Sequence, residues 1–275
     1  MRRTTRRTAR IVTAVAGTAT ALALAATLTS LDSDEVKKGA RQEQSAAGNA
    51  DKSSHKSGIL LAHGADRHPS ETATDWVTYA DHVVEVTPVT EIRIEPDQEE
   101  VDRGEGLILR DLKLRVDRVL WSSEEAARTA PQTFNWTAHG WMFGGGEDGD
   151  SSVLTEMAGE GQPRIELGHH YIMAIEWQEP RCGTDDGDIP GKWRGLGSGS
   201  TLPYDASTIG KGEFEGTVRS TDAARAAVAE RADPVYTLLD EFTGSEASGL
   251  VEELTETEPV PEEPDPSAPP VGVCG

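Results

Sequence analysis

Leu107-Ile108-Leu109-Arg110-Asp111-Leu112-Lys113-Leu114-Arg115-Val116-Asp117-Arg118-Val119-Leu120-Trp121 decides the fold. Leu112, Leu114 and Val116 alternate with Lys113, Arg115 and Asp117, so an extended chain has one apolar and one wet face. A helix would scatter those residues around its axis. Three further stretches share the strand composition of Val, Ile, Thr and aromatic residues. The first is residues 76–95, where Val84/Val86 and Ile92/Ile94 alternate with Glu85 and Arg93 and Pro88 marks a bulge or sheet edge. In residues 133–143, Phe134, Trp136 and Ala138 are in phase and Gly140 marks a bulge. The third is Tyr171 to Trp177, after a turn at Gly168.

Between these stretches lie polar connections: 95–106 is acidic, 144–152 is Gly-rich, and 180–200 is broken by Gly and Pro. Residues 201–218 hold one or two short terminal strands. This spacing predicts a mainly β domain over residues 72–220, a small antiparallel barrel or sandwich for which OB-like closure is one option. From Ser220 the period changes. The stretch Ser-Thr-Asp-Ala-Ala-Arg-Ala-Ala-Val-Ala-Glu-Arg-Ala begins with an N-cap cluster and runs helical. Asp233-Pro234 breaks it and Leu238, Leu239 and Phe242 continue at helical spacing, giving a helical segment over residues 221–254. Residues 255–275 are acidic and Pro-rich, which predicts a disordered tail. Residues 32–71 read as a disordered linker, with the apolar run Ile59 to His63 too short to form a core.

The amino end is of a different kind. Arg2, Arg3, Arg6, Arg7 and Arg10 precede a stretch from Ile11 to Leu31 with no charged residue, and Asp32, Asp34 and Glu35 end it. A basic head followed by an apolar run is the layout of a signal peptide or a membrane anchor over residues 1–31. Ala23-Leu24-Ala25 offers a cleavage site before Ala26. If the segment is retained, it can cross a bilayer with its arginines inside. Either outcome places the remainder outside the cytoplasm, secreted or held at the membrane only through this segment. Thr8 and Ala9 after Arg6-Arg7 lack the bulky apolar residue of a twin-arginine signal.

The 275 residues carry 48 Asp and Glu against 26 Lys and Arg, a formal charge of −22. Such a balance argues against nucleic acid as partner, because phosphate binding needs a basic footprint. Val235 to Gly275 contains ten acids and no Lys or Arg, an acidic arm able to recruit a partner. Cys182 and Cys274 are the two cysteines. Export permits a disulfide between them, and the chain-entropy model assigns closure of a loop of about 92 residues up to about 4–5 kcal/mol. Intermolecular pairing or free thiols remain open alternatives.

Candidate chemistry is sparse. Glu147, Asp148, Asp150 and Asp185, Asp186, Asp188 lie in two acidic Gly-containing loops of the kind that can hold Ca²⁺ at extracellular concentrations, although turn chemistry alone favours the same residues. His82, His139, His169 and His170 fall in the β region. As strand neighbours, His169 and His170 would point to opposite faces, which separates them as ligands of one metal. Ser198 lies in a Gly-Ser-Gly-Ser loop without the strand-to-helix setting of a nucleophile elbow. Five of the six tryptophans, Trp121, Trp136, Trp141, Trp177 and Trp193, fall between residues 121 and 193. They read as core or as a platform for glycan or peptide, with Trp193 in Gly-Lys-Trp-Arg-Gly the exposed member.

Residues 75–89, 109–121, 133–141, 164–175 and 196–205, in that order, resemble uncharacterised exported β-barrel-like proteins of high-GC Gram-positive bacteria. The resemblance spans about residues 72–218. It implies a small barrel similar to OB-type or netrin-type domains and carries no functional residues over. Together these readings lead to the expectation of an exported, non-enzymatic binding domain for an envelope protein or polymer. The alternative is an extracellular hydrolase with unidentified catalytic residues, for which His139 and His170 are the first positions to test.

Overall fold

The computed structural model describes residues 58–144, 153–184, 187–230 and 237–261. Its elements, in chain order, are β1 (Ile59–Ala62), α1 (Ala73–Tyr79), β2 (His82–Ile94), α2 (Gln98–Arg103), β3 (Gly106–Ser122), β4 (Thr133–Phe143), β5 (Leu154–Gly159), β6 (Tyr171–Gln178), β7 (Arg181–Thr184), β8 (Gly187–Ile189), β9 (Lys192–Gly195), β10 (Thr201–Pro203), β11 (Gly212–Phe214), β12 (Thr217–Arg219), α3 (Thr221–Ala229), α4 (Leu238–Phe242) and α5 (Ala247–Glu256). The fold is mainly β. An eight-stranded sheet runs β1-β5-β4-β3-β2-β6-β10, and β9 also pairs with β6. β9 and β10 share one edge of β6: Ile175–Gln178 pairs with β9, and Tyr171–Met173 pairs with β10.

The expected antiparallel barrel is corrected in two respects. β1 and β5 are parallel, so the sheet is mixed. Among the described residues no closed barrel forms: the sheet curls until β9 approaches β4, yet the two do not pair. Trp136 lies in this seam, against Gly195. A Cβ at Gly195 would stand 2.8 Å from Trp136 Cη2, so the ring packs closely on a position that has no room for a side chain.

The sheet is buried on both faces. Val83, Ile172 and Ala174 face a first core with Trp76 and Val77 of α1, Leu238 and Phe242 of α4, and Leu250 and Leu254 of α5. Val84, Val86, Leu112, Leu114, Phe134, Tyr171, Met173 and Ile175 face a second core inside the curl. β6 therefore reads as an unbroken apolar run, because each face has its own cover. The register explains where the alternation of β3 changes phase. Val83 pairs with Trp121 and Val84 with Val119, so Leu120 is bulged out of the ladder. Leu112 and Leu114 consequently face the inner core, whereas Leu120 and Trp121 both pack toward the helices.

Local chemistry also overturns parts of the sequence reading. Ala73–Tyr79 is a helix, not strand. Thr72 accepts from Asp75 N at 3.2 Å while Thr72 N donates to Asp75 Oδ2 at 2.8 Å, a capping box that outweighs the strand composition of Trp-Val-Thr-Tyr. The acidic connection 95–106 contains α2, held by a second capping box between Asp97 and Glu100 and ended by Gly104 in the left-handed region. The linker reading fails from Gly58 onward: β1 joins the sheet and Ile59 is buried. Residues read as loop supply β7, β8 and β9. The helical segment is present as α3, α4 and α5. Residues 1–57, 262–275 and the Asp233-Pro234 break lie outside the described residues, and no described helix is long and apolar enough to cross a membrane.

Candidate functional site

Two clusters of charge stand out, one inside the curl and one along its open seam. The first centres on Arg110, whose side chain is wholly buried. It projects from β3 on the same face as Leu112 and Leu114. Its Nε donates to His139 O at 2.7 Å and Nη2 to Arg164 O at 2.6 Å. Nη1 reaches Glu91 Oε2 at 3.0 Å, Ile165 O at 3.2 Å and Glu166 Oε2 at 3.4 Å. Arg164, also buried, donates to Met157 O, Gly140 O and Glu166, and its guanidinium stands 5.2 Å from the centre of the Trp141 ring. Glu213 accepts four bonds: Arg164 N at 3.0 Å and Gly216 N at 2.7 Å on one oxygen, Ile165 N at 3.0 Å and Tyr171 OH at 2.9 Å on the other.

Every charged group in this cluster is hydrogen-bonded, the condition under which buried ions are tolerated. Burial, reinforced by the Glu213 carboxylate, pushes the Tyr171 phenol far above its ordinary range, so it stays a donor. Ile165 holds φ at 63°, a strained value for a β-branched residue. Its N–H is bound by Glu213 and its carbonyl by Arg110, so the surrounding bonds impose the conformation. These groups lock the β3, β6 and β11 ends together and leave little capacity for a ligand.

The second cluster is open. A cleft of about 970 Å³ lies along the β4–β9 seam. Alternation on the two strands builds it. On β4, Thr133, Asn135 and Thr137 are exposed and line the cleft, while Phe134 and Trp136 turn inward. On β9, Lys192 and Arg194 are exposed, while Trp193 is buried at 9% exposure. Trp136, Trp177 and Trp193 form the floor, with Trp177 and Trp193 edge to face at 5.4 Å. Trp193, expected to be exposed, is corrected to a packed floor residue because β9 is a strand on β6 and not a loop. Arg67 and Arg181 add positive charge at the rim.

Among the described residues lining the cleft, Asp66 is the one acid. It is already used: Oδ1 accepts from Ser198 N and Oδ2 from Ser198 Oγ, each at 2.8 Å. Ser198 is thus a strut of the rim. Arg194 is oriented by Gln178 at 3.0 Å. Arg67 Nε forms an ion pair with Glu176 Oε1 at 3.2 Å, without hydrogen-bonding geometry, so its charge is already answered.

The histidines do not converge. His82 is buried between Arg128 O at 2.7 Å, which requires a proton on Nε2, and Ser122 Oγ at 2.8 Å. His139 lies beside the buried arginines. Its pKa is lowered, by burial first and then by Arg110 and Arg164. His169 and His170 precede β6 instead of standing on it, and both meet Asp205. His169 Nδ1 is 2.6 Å from Oδ2, and the His170 N–H donates to Oδ1 at 2.9 Å. Of the acidic-loop residues, Glu147, Asp148, Asp150, Asp185 and Asp186 lie outside the described residues, and Asp188 is exposed on β8. Among the described residues no group of three His, Cys, Asp or Glu side chains is placed to hold a metal. Cys182 is on β7, and Cys274 lies outside the described residues.

Only part of the signal for the cleft was present in the sequence. Lys192-Trp193-Arg194 and Thr133 to Thr137 each alternate large apolar with polar residues, but only pairing through the fold brings the two strands face to face. Compared with known proteins, the chain matches no family model, no curated protein and no solved structure.

Proposed function

We propose that this protein is an exported, non-catalytic binding module whose ligand seats in the β4–β9 cleft. The observation that carries the reading is the cleft itself. It has a tryptophan floor and a rim of Arg181, Lys192 and Arg194, in a chain whose formal charge is −22. Its volume is of the size that ligand sites occupy, and its polar groups converge from two strands and a loop. Basic side chains gathered in one groove of an acidic protein give that groove a potential opposite to the rest of the surface. The amino-terminal segment supports export, either as a secreted protein or held at the cytoplasmic membrane with the carboxyl-terminal domain outside. The partner is then an envelope protein or polymer. The resemblance to exported proteins of high-GC Gram-positive bacteria points the same way.

The test is cosedimentation of the exported protein with isolated cell envelopes, alongside the double variant Lys192→Glu, Arg194→Glu. Retention of the parent and release of the variant, with equal melting temperatures, is the expected result. Equal retention of both would move the binding surface away from the cleft.

A further inference from the structure

We infer that the cleft takes an acidic glycan, a carbohydrate chain carrying carboxylates, an inference that rests on the cleft being the ligand seat. Its two walls offer different chemistry. The β4 wall is a ladder of neutral side chains, Thr133, Asn135 and Thr137, all exposed and spaced two residues apart, so roughly 7 Å separates successive rungs. Hydroxyl and amide groups in such a row donate and accept, which is what sugar hydroxyls need. The β9 wall presents Lys192 and Arg194, also two residues apart and exposed, facing the same space. Gln178 holds the Arg194 guanidinium by a single bond to Nη1, leaving N–H groups for a carboxylate.

Between the walls, the half-buried Trp136 supplies apolar ring surface for the C–H face of a pyranose ring. The one acid among the described lining residues, Asp66, is occupied by Ser198, so the lining adds no free repulsive carboxylate to those cations. A neutral glycan would use the ladder and the floor but leave the cations unanswered. An acidic peptide would meet the cations, and its main chain could meet the ladder, but it offers no pyranose C–H face to Trp136.

The test is calorimetric titration of the full chain with three probes: a hyaluronan hexasaccharide, neutral chitohexaose and a hexaglutamate peptide. The hyaluronan probe is expected to bind at least about tenfold more tightly than either of the others, a difference of about 1.4 kcal/mol. Its affinity should fall with added salt. Lys192→Gln with Arg194→Gln should weaken it by about tenfold or more, and Asn135→Ala should weaken it by a smaller factor. All three positions are exposed, so the variants should fold, and melting temperature checks this. Chitohexaose binding as tightly as hyaluronan would overturn the role of charge. Hexaglutamate binding as tightly would replace the glycan with an acidic peptide. If none binds while the cleft variant still loses its hold on cell envelopes, the acidic glycan is overturned and the cleft reading stands. If none binds and the cleft variant is still retained on envelopes, both fall.

Discussion

Arg110 and Arg194 stand on strands of the same curled sheet, and what surrounds each guanidinium separates them. Arg110 is wholly buried, with each nitrogen bound to a backbone carbonyl or carboxylate. Arg194 is exposed at the cleft rim and held by one amide oxygen. The cluster around Arg110 is saturated, and its groups fix the positions of three strands and a strained residue. The cluster around Arg194 is directed but unsaturated, and it faces a cavity floored with tryptophan. Saturation, more than the presence of charge, distinguishes a structural ion network from a binding site.

The largest effect that can break this comparison is expected at Arg110. Arg110→Met leaves Glu91 and Glu166 without their shared cation and orphans the carbonyls of His139 and Arg164. Removing one partner from a buried network of this kind costs about 3–5 kcal/mol. Urea unfolding measures it, and a loss below about 1 kcal/mol would show that the network is dispensable. Next, Glu213→Gln sets an amide NH₂ against the N–H groups that the carboxylate accepts. A loss of about 2 kcal/mol is expected in the same experiment.

The third prediction concerns pH. His139 has a folded-state pKa below its ordinary value of 6.5 because of burial and the neighbouring arginines. The unfolded chain therefore binds its proton first. The contribution of His139 is fully present above about pH 6.5 and is lost as pH falls below that value toward the lowered folded-state pKa. His139→Gln should flatten this part of the stability profile. An unchanged slope between pH 7 and pH 5 (on the order of the span a histidine titrates over) would contradict the assignment. The smallest effect is expected in the cleft: Lys192→Gln and Arg194→Gln together should change stability by under about 0.5 kcal/mol, since both side chains are exposed. A loss comparable to that of Arg110→Met would make the cleft cations structural and erase the contrast.

Much of the sheet was legible. Leu112, Leu114 and Val116 announced β3 because a strand repeats every two residues and the core selects one phase, and Tyr171 to Trp177 announced β6 as a short apolar run after a turn. Arg110 carried a signal of its own, a charge in phase with Ile108, Leu112 and Leu114 on the apolar face. The helix α1 was obscured because Trp76, Val77 and Tyr79 suit a strand, and the capping pair Thr72/Asp75 decided the matter locally. The cleft was half legible: its tryptophans suggested core or platform, and in the structure they pack at the margin of the inner core and floor the cleft. β9 was hidden among Gly and Pro, since a four-residue strand on an established sheet needs little propensity of its own.

Sequence by itself determined the charge balance, the β class, the phase of the long strands and the helical carboxyl-terminal segment, since each depends on residues close in the chain. Only packing across the fold brings β9 to face β4, sets Trp136 against Gly195, and lets Glu213 reach Arg164, Ile165 and Tyr171. These contacts join residues about 40–60 positions apart, where local propensity is silent and packing and hydrogen-bond saturation select the arrangement.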